Sequence, residues 1–334
     1  MVYLKKIKDE KSIPKYIYLD QNILIYFGQV HYGKSDSLIE ETLEILFELI
    51  EKGIVKVIFN LTNVIEAQKV SNNDQLERFA DFVISLTQGY AFVPFPYLEI
   101  FEVENAIRIE LSRDILDIRN RAIGRGVFYL IHDGNPPKLT SSKLIPEETQ
   151  KLADSSMREH FSTDDAIKKF FLNRTYQYGD AAETIKELED IRLRGYNIKD
   201  KKFKQKLGVA QYIVSMIVEK VAIVCKAYNV YPSILRLSEG MERIMEVFLN
   251  MPLLYTYHLL LQGLDEDSDH PLNSNDLLDI NSYCFALPYC DMVVGEKYTI
   301  SLAKRINIDE IYKTQLFNRG ELDKFLETLK KLKG

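Results

Sequence analysis

The sequence lacks several features that mark common functional classes. It has no tryptophan and only three cysteines, which form no C-x-x-C pair and therefore favour reduced, buried thiols over a zinc site or a disulfide framework. Its five histidines are scattered and form no H-E-x-x-H motif, so a histidine-based zinc or nucleophile site is not expected. No P-loop, Rossmann glycine fingerprint or G-x-S-x-G motif is present, which argues against nucleoside-triphosphate hydrolysis and α/β-hydrolase chemistry.

Long apolar runs are also missing. No stretch approaches the length of a membrane span, and the first residues, Met-Val-Tyr-Leu-Lys-Lys, lack the apolar core of a signal peptide, so we expect a cytoplasmic protein with no membrane association. The 334 residues are 46% hydrophobic and 28% charged, which is ordinary globular composition. The net charge of −6 argues against a generic polyanion binder, but local patches still allow a nucleic-acid enzyme.

Strand and helix patterns alternate in the first hundred residues. The apolar run 16–19 predicts a buried strand that ends at Asp20 and leads into a helix, and a second strand is predicted at 54–59. Amphipathic helices are predicted at 36–52, from residue 61 onward, and at 74–87. This order predicts an α/β fold in which helices flank a parallel sheet.

The pattern changes near residue 99 and changes back near residue 265. Helical periodicity dominates the middle of the chain, at 99–122, 147–172, 180–194, 203–228 and 233–262. The α/β pattern then returns with a helix at 276–288, a strand at 292–295, a final strand region at 306–308 and 314–317, and a closing helix at 320–332. We therefore predict a discontinuous α/β domain formed by residues 1–98 and 265–334, interrupted by an α-helical insertion at 99–264.

Carboxylates recur where the predicted strands and helices meet, at Asp20, Glu66, Asp279, Asp291 and Glu296. Chemistry in α/β folds sits at the carboxyl ends of parallel strands, and acids that converge there would repel one another unless cations offset them. Hard oxygen ligands suit Mg²⁺ or Mn²⁺, and two such ions can support phosphodiester hydrolysis.

Each acid also has a purely structural explanation. The spacing Asn63-x-x-Glu66 fits a variant capping box, Asp279 could be a favourable charge at a helix start, and Asp291 could cap a turn. We interpret Asp276, close to Asp279, as structural.

Three segments of the chain resemble the PIN-domain family of nucleases. In that family an Asp ends the first strand with a small polar residue two positions on, as Asp20 and Asn22 do here, and a helix after the second strand carries a Glu, as Glu66 does. The most specific segment is residues 279–296, in which an Asp opens a late helix that runs through small apolar residues into a second Asp and a strand. The resemblance covers roughly residues 14–98 and 274–334.

The resemblance implies a fold, an activity and a set of site residues. It implies a PIN-like parallel sheet and a Mg²⁺- or Mn²⁺-dependent ribonuclease, either a toxin restrained by an antitoxin or an anti-phage effector. Asp20, Glu66 and Asp279 would be the main metal ligands, completed or supported by Asp291 and Glu296. The supporting residues would be Asn22, Asn281 and Lys297. The sequence departs from the family at Gly295-Glu296-Lys297, where Thr-x-Asp is common.

Two basic clusters in the predicted insertion could contact a nucleic acid. The first contains Arg113, Arg119, Arg121 and Arg125, and the second contains Lys199, Lys201, Lys202, Lys204 and Lys206. Arginines of the first cluster could instead pair with nearby acids, and the second could be a solvated surface.

The pattern leaves two other functions open: a non-catalytic PIN-like scaffold that binds a partner or regulatory protein, and a structure-specific DNase. Apolar helices at 207–228 and 241–262 could support a homodimer.

Overall fold

The computed structural model describes residues 14–138, 145–174, 216–265 and 273–333, with the single positions 186, 200, 203, 207 and 208. The helix predicted at 180–194 and most of the segment 203–217 lie outside the described residues. The described part is a mixed α/β structure in which helices flank a parallel four-stranded sheet, as the alternating pattern predicted.

The described strands are β1 (Lys15–Leu19), β2 (Val55–Ile58), β3 (Tyr90–Phe92), β4 (Ile123–Arg125), β5 (Met292–Gly295) and β6 (Gln315–Asn318). The main sheet has the order β2-β1-β5-β6, with every neighbouring pair parallel. Strands β3 and β4, which the sequence did not predict, form a short antiparallel pair beside it, linked to the main sheet by a parallel bridge between Phe59 and Ala91. Residues from the two ends of the sequence therefore share one sheet.

The helices before residue 175 are α1 (Gln21–His31), α2 (Ser37–Glu51), α3 (Leu61–Ala67), α4 (Asn73–Thr87), α5 (Phe95–Glu110), α6 (Ile118–Ala122), α7 (Phe128–Ile131), α8 (Glu147–Phe161) and α9 (Asp164–Leu172). Those described after residue 215 are α10 (Val218–Tyr228), α11 (Met241–Leu249), α12 (Pro252–Asp265), α13 (Ser274–Tyr289), α14 (Lys297–Arg305), α15 (Ile308–Tyr312) and α16 (Leu322–Lys333). Two short 3-10 helices, Pro232–Leu235 and Leu237–Glu239, precede α11.

Three predicted long helices are broken in the structure. The helix predicted at 99–122 is divided into α5 and α6, because Ser112 adopts a left-handed conformation. The one predicted at 147–172 is divided where Thr163 caps α9 by accepting from the Ala166 N–H at 3.2 Å. The one predicted at 233–262 is broken before Pro252, which opens α12. Proline and hydroxyl caps interrupt helices more strongly than apolar periodicity extends them.

The final strand region was predicted partly wrongly. The strand expected at 314–317 is confirmed as β6, but residues 306–308 form a turn into α15 instead of a strand. The turn follows from Asn307, whose φ of 56° places it in the left-handed region that asparagine tolerates better than most residues.

The sheet is buried on both faces because its strands alternate their apolar side chains between two cores. Tyr16 and Tyr18 of β1 point into one core, which includes helices α5, α10, α11, α12 and α13. Ile17 and Leu19 point into the other, which includes α1, α2, α4, α9 and α16. Helices from the predicted insertion therefore pack against the sheet itself, and the predicted boundary at residue 98 falls inside α5.

No single helix among the described residues is long and apolar enough to cross a membrane. Helices α11 and α12 reach the required length and composition only as a pair, and they are bent by 114° at the break between them.

Candidate functional site

The strand order creates a crevice at one edge of the sheet. The chain passes from β1 to β2 on one side of β1, and later places β5 on the other side. Such a switch in strand order leaves a gap beyond the carboxyl ends of the two diverging strands, where α/β proteins bind their ligands. Asp20 follows β1 and Glu296 follows β5, and the Asp20 N–H donates to the Val294 carbonyl at 2.9 Å. Two predicted site residues therefore flank this crevice.

Asp20 is held rigidly at the start of α1. It caps that helix, and its Oδ1 accepts from the Gln21 N–H at 2.9 Å. The residue is only 4% exposed. Burial raises the pKa of Asp20 to about 7, and the nearby carboxylates of Glu66 and Glu296 push the pKa in the same direction. A capping role alone does not explain a carboxyl group placed among other carboxyl groups.

Glu66 and Asp279 lie within electrostatic reach of Asp20. Burial raises the pKa of Asp279 to about 8, with Asp20, Glu296 and Glu66 as the next causes. Burial also raises the pKa of Glu66, and Glu296 adds to the shift while Lys69 opposes it. These mutual effects place Asp20, Glu66, Asp279 and Glu296 within electrostatic reach of one another, and the four acids are named here the carboxylate cluster.

The structural explanations for these acids are settled by their contacts. The capping box of α3 is made by Asn60 and Asn63, which exchange hydrogen bonds of 3.0 and 3.1 Å, so Glu66 has no part in it. The capping box of α13 is made by Asn273 and Asp276, which confirms Asp276 as structural. Glu66 and Asp279 are therefore free of the capping roles that the sequence allowed.

A buried pair of tyrosines, Tyr18 and Tyr283, lies against the carboxylate cluster. The sequence pattern did not predict this pair. The Tyr283 hydroxyl hydrogen-bonds the Asp20 carboxyl and accepts from the Glu296 N–H at 3.1 Å. Tyr18 packs edge-on against Tyr283, with ring centroids 6.2 Å apart. Tyr283 lies one helical turn after Asp279, which is the sequence signal that could have identified it.

Tyr283 also explains why residue 295 is glycine. A Cβ on Gly295 would lie 1.7 Å from the Tyr283 hydroxyl oxygen, far inside van der Waals contact. Gly295 therefore leaves the space that the Tyr283 hydroxyl occupies.

The predicted supporting residues have different surroundings. Asn22 is exposed and its Nδ2 donates to Glu296 Oε1, which fixes that carboxylate at the rim. Lys297 is exposed next to Glu296 at the start of α14. Asn281 lies on α13 two residues after Asp279 and lines a neighbouring cleft. Asn22 is therefore the one of the three with a described hydrogen bond to a member of the cluster.

Asp291 does not join the cluster, so its expected place beside Asp20 is wrong. It precedes β5, whereas Glu296 follows it, and the five residue steps between them span about 16 Å of extended chain. Its Oδ2 accepts from the Tyr16 N–H at 2.7 Å and from the guanidinium of Arg119, and its Oδ1 lies 3.7 Å from Lys15 Nζ. Asp291 is thus a paired acid at the amino edge of the sheet.

The predicted arginine cluster is engaged in contacts within the protein. Arg119 is buried against Asp291 and the Tyr16 ring, Arg121 pairs with Glu104 at 2.6 Å, and Arg125 pairs with Asp164 at 2.7 Å. These arginines do pair with acids, but not with the neighbouring acids that the sequence suggested; their partners are distant in sequence. Lys201, Lys202 and Lys204 lie outside the described residues.

The carboxylate cluster has the ligand type of a hard-cation site, but its side chains are not arranged around one cation position. Carboxylate oxygens are the ligands that Mg²⁺ and Mn²⁺ prefer. In the described part of the chain, however, no group of three or more His, Cys, Asp or Glu side chains is arranged so that it could hold a metal ion as it stands.

No protein-family model, curated protein or solved structure matches this chain.

Proposed function

We propose that this chain is a metal-dependent endoribonuclease of the PIN type, which hydrolyses phosphodiester bonds at the carboxylate cluster. The observation that carries the proposal is the convergence of four acids from different parts of the sequence at the switch point of a parallel sheet. Among the described residues, none of these four acids forms an ion pair with lysine or arginine, unlike Asp291. Acids placed together without such partners are poorly suited to stabilising a fold and well suited to binding cations.

The proposal also assigns the architecture. Strands β1, β2, β5 and β6 with their helices would form the PIN-like domain, built from residues 1–98 and 265–334. Residues 99–264 would be the helical insertion, whose helices contribute both to the core that contains Tyr18 and Tyr283 and, through α9, to the core on the other face of the sheet.

Asp20, Glu66, Asp279 and Glu296 would hold one or two Mg²⁺ or Mn²⁺ ions. When bound, such ions offset the repulsion among the carboxylates, activate water and stabilise the leaving oxygen. In the hydrolysis, water adds to phosphorus in line and the bond from phosphorus to the leaving ribose oxygen breaks, so no protein nucleophile is needed.

The chain's own residues would position the reacting groups. The Tyr283 hydroxyl holds the Asp20 carboxyl, and the Asn22 amide holds Glu296, so two of the four acids have fixed orientations. Lys297 is exposed beside Glu296, where an ammonium group can meet a substrate phosphate. Because Asp20 caps the start of α1, the N-terminal end of this helix faces the crevice and favours an anion there.

The proposal is tested by incubating single-stranded and structured RNA and DNA with the protein in Mg²⁺, in Mn²⁺ or in EDTA. We expect cleavage of RNA that requires the metal, and a rate at least about a thousandfold lower in Asp20→Asn, since a lost ligand removes several kcal/mol of transition-state stabilisation. Asp74→Asn, which removes an exposed acid from α4, is the matched control and should cut as wild type does. Absence of cleavage on every substrate, or equal cleavage by Asp20→Asn, would overturn the proposal; cleavage of DNA alone would favour the DNase alternative.

A second candidate is a non-catalytic scaffold that binds a partner protein. It is favoured by the Asn22 amide bound to Glu296 and by the absence, in the described residues, of a finished three-ligand group. Mn²⁺ titration followed by calorimetry separates the candidates. The nuclease should bind Mn²⁺ and lose that binding in Asp20→Asn, whereas the scaffold should bind none.

A further inference from the structure

A cleft of about 180 Å³ lies beside the carboxylate cluster. Its walls come from the start of α3, the segment before and at the start of α5, and the middle of α13. Thr62 lines the cleft and Glu66 lies one helical turn further along α3, so both occupy the same side of that helix. On α13, Asn281 and Phe285 form one wall, and Asp279 lies on the same helix. The cleft and the cluster are therefore neighbours that share two helices.

The cleft has the shape and lining of a site for one planar ring. Ile65, Phe95 and Phe285 make its wall largely apolar, and Phe95 meets Phe285 edge-on with centroids 6.1 Å apart. Its volume is well below the roughly 300–1,000 Å³ of sites for drug-sized ligands. The adjacent acids disfavour an anion in the cleft, so a neutral aromatic group fits better than a phosphate.

One polar atom at the cleft has no partner. Asn60 lines the cleft and is only 3% exposed, yet its Nδ2 has no hydrogen-bond partner among the described residues. The orientation of this amide is fixed because its Oδ1 accepts from the Asn63 N–H in the capping box of α3. The other end must then be the NH₂ group, which can only donate. Buried donors are rarely left unsatisfied, so this N–H group is available for an acceptor oxygen from a ligand or a water.

We propose that this cleft binds a single nucleobase of the substrate, next to the phosphodiester bond that is cut, with a base carbonyl oxygen accepting from Asn60 Nδ2. This inference rests on the proposed function, because the phosphate of the same nucleotide would lie at the carboxylate cluster. Aromatic walls accept the faces or edges of any base, whereas a fixed donor selects bases that present a carbonyl oxygen. Uracil, cytosine and guanine carry such a group, and adenine does not. The cleft would therefore make cleavage dependent on the base.

The test uses oligonucleotides that differ only in the base at the cleaved position, with uracil compared against adenine. We expect wild type to prefer uracil by about tenfold in kcat/KM, which is the size of one neutral hydrogen bond, and Asn60→Ser to lose the preference. Serine keeps the α3 cap through its own oxygen but has no group that reaches as far as Nδ2. Asn72→Ser makes the same exchange at the exposed cap of α4 and should keep the preference. Equal thermal midpoints of the two variants would show that the cap is preserved.

A binding measurement separates this inference from the proposed function. In EDTA, equilibrium binding of the same oligonucleotides to Asp20→Asn and to Asp20→Asn/Asn60→Ser reports base recognition without cleavage. Uracil preference in the first protein and none in the second supports the base site, even if no substrate is ever cut and the nuclease proposal fails. Cleavage with no base preference, or a preference that survives in Asn60→Ser, overturns the base site and leaves the nuclease proposal standing.

Discussion

The two edges of the central sheet carry the same kind of side chain under opposite conditions. At the amino edge, Asp291 is matched by Arg119, Lys15 and the Tyr16 N–H. At the carboxyl edge, Asp20 and Asp279 lie among other acids, and burial raises the pKa values of both. Asp291 and Asp20 thus flank the same sheet in opposite electrostatic surroundings, because cationic groups surround Asp291 and other carboxyl groups surround Asp20. The contacts at the amino edge stabilise the fold, whereas the uncompensated acids at the carboxyl edge reduce its stability, as the proposed cation site requires.

The largest predicted effect is a decrease in the free energy of unfolding of the metal-free protein as the pH rises. The pKa of Asp20 is about 7 in the folded protein against an ordinary value of 3.8, so between these values the folded chain keeps a proton that the unfolded chain releases. Stability therefore falls as pH rises from about 4 to 8, and Asp20 alone contributes on the order of 4 kcal/mol. Urea unfolding in EDTA at pH 5 and pH 8 measures this fall.

Asp20→Asn should reduce that fall and make the metal-free protein more stable than wild type at pH 8. The comparison with the variant is necessary because burial also raises the pKa values of Glu99 and Glu102, to about 7 and about 8. Asp74→Asn, which removes an exposed acid, should keep the wild-type profile. If Asp20→Asn and wild type fall equally, the carboxyl edge is not strained by its acids.

The next effect concerns the amino edge. Asp291→Asn should destabilise the protein by about 3 kcal/mol, because it leaves the Arg119 guanidinium, with a side chain only 8% exposed, without its charged partner. Asp164→Asn breaks an exposed pair with Arg125 and should cost less than about 1 kcal/mol. Urea unfolding at pH 7 measures both.

Asp291→Asn also tests whether the amino edge of the sheet contributes to the proposed cleavage. Asp291→Asn, assayed below its unfolding transition, should keep metal-dependent cleavage within about threefold of wild type, since three of its contacts are structural and the sheet separates it from the site. A loss as large as that of Asp20→Asn would show that both edges serve catalysis.

The smallest of the three main predicted changes in stability concerns Gly295, next to the Tyr283 hydroxyl. Gly295→Ala should cost about 2 kcal/mol, because its Cβ would collide with the Tyr283 hydroxyl. In a Tyr283→Phe background the same change should cost less, since the nearest atom is gone, and a double-mutant cycle measures this coupling. Additive costs would mean that the hydroxyl moves aside freely and does not hold Asp20 in place.

Much of the sheet could be predicted because its signals are local. The apolar run before Asp20, the β-branched run at 54–59 and the strand at 292–295 each lie within a few residues, and burial on both faces makes them nearly continuous. Strand β3 has only three residues and β4 contains Gly124, so neither gives such a run.

Site residues could be predicted only where the order of strands and helices determines their position. Asp20, Glu66, Asp279 and Glu296 follow or lie near the carboxyl ends of parallel strands, which the sequence order implies. Asp291 was grouped with them because it lies where a predicted helix meets a predicted strand and belongs to the segment that resembles the PIN family, although the length of β5 places it and Glu296 at opposite edges. The roles of the arginines depended on partners such as Glu104 and Asp164, which no local pattern reveals.

The shared sheet has a consequence for the order in which the protein becomes active during synthesis. Strand β5 is the neighbour of β1, yet Glu296 lies 230 positions after Glu66. At about 5–20 residues per second, a ribosome needs roughly 10–50 s to cover that distance, during which the first two acids lack the other half of their site. A nascent chain would therefore hold Asp20 and Glu66 without Asp279 and Glu296, so the site of the proposed nuclease would stay incomplete until β5 emerges.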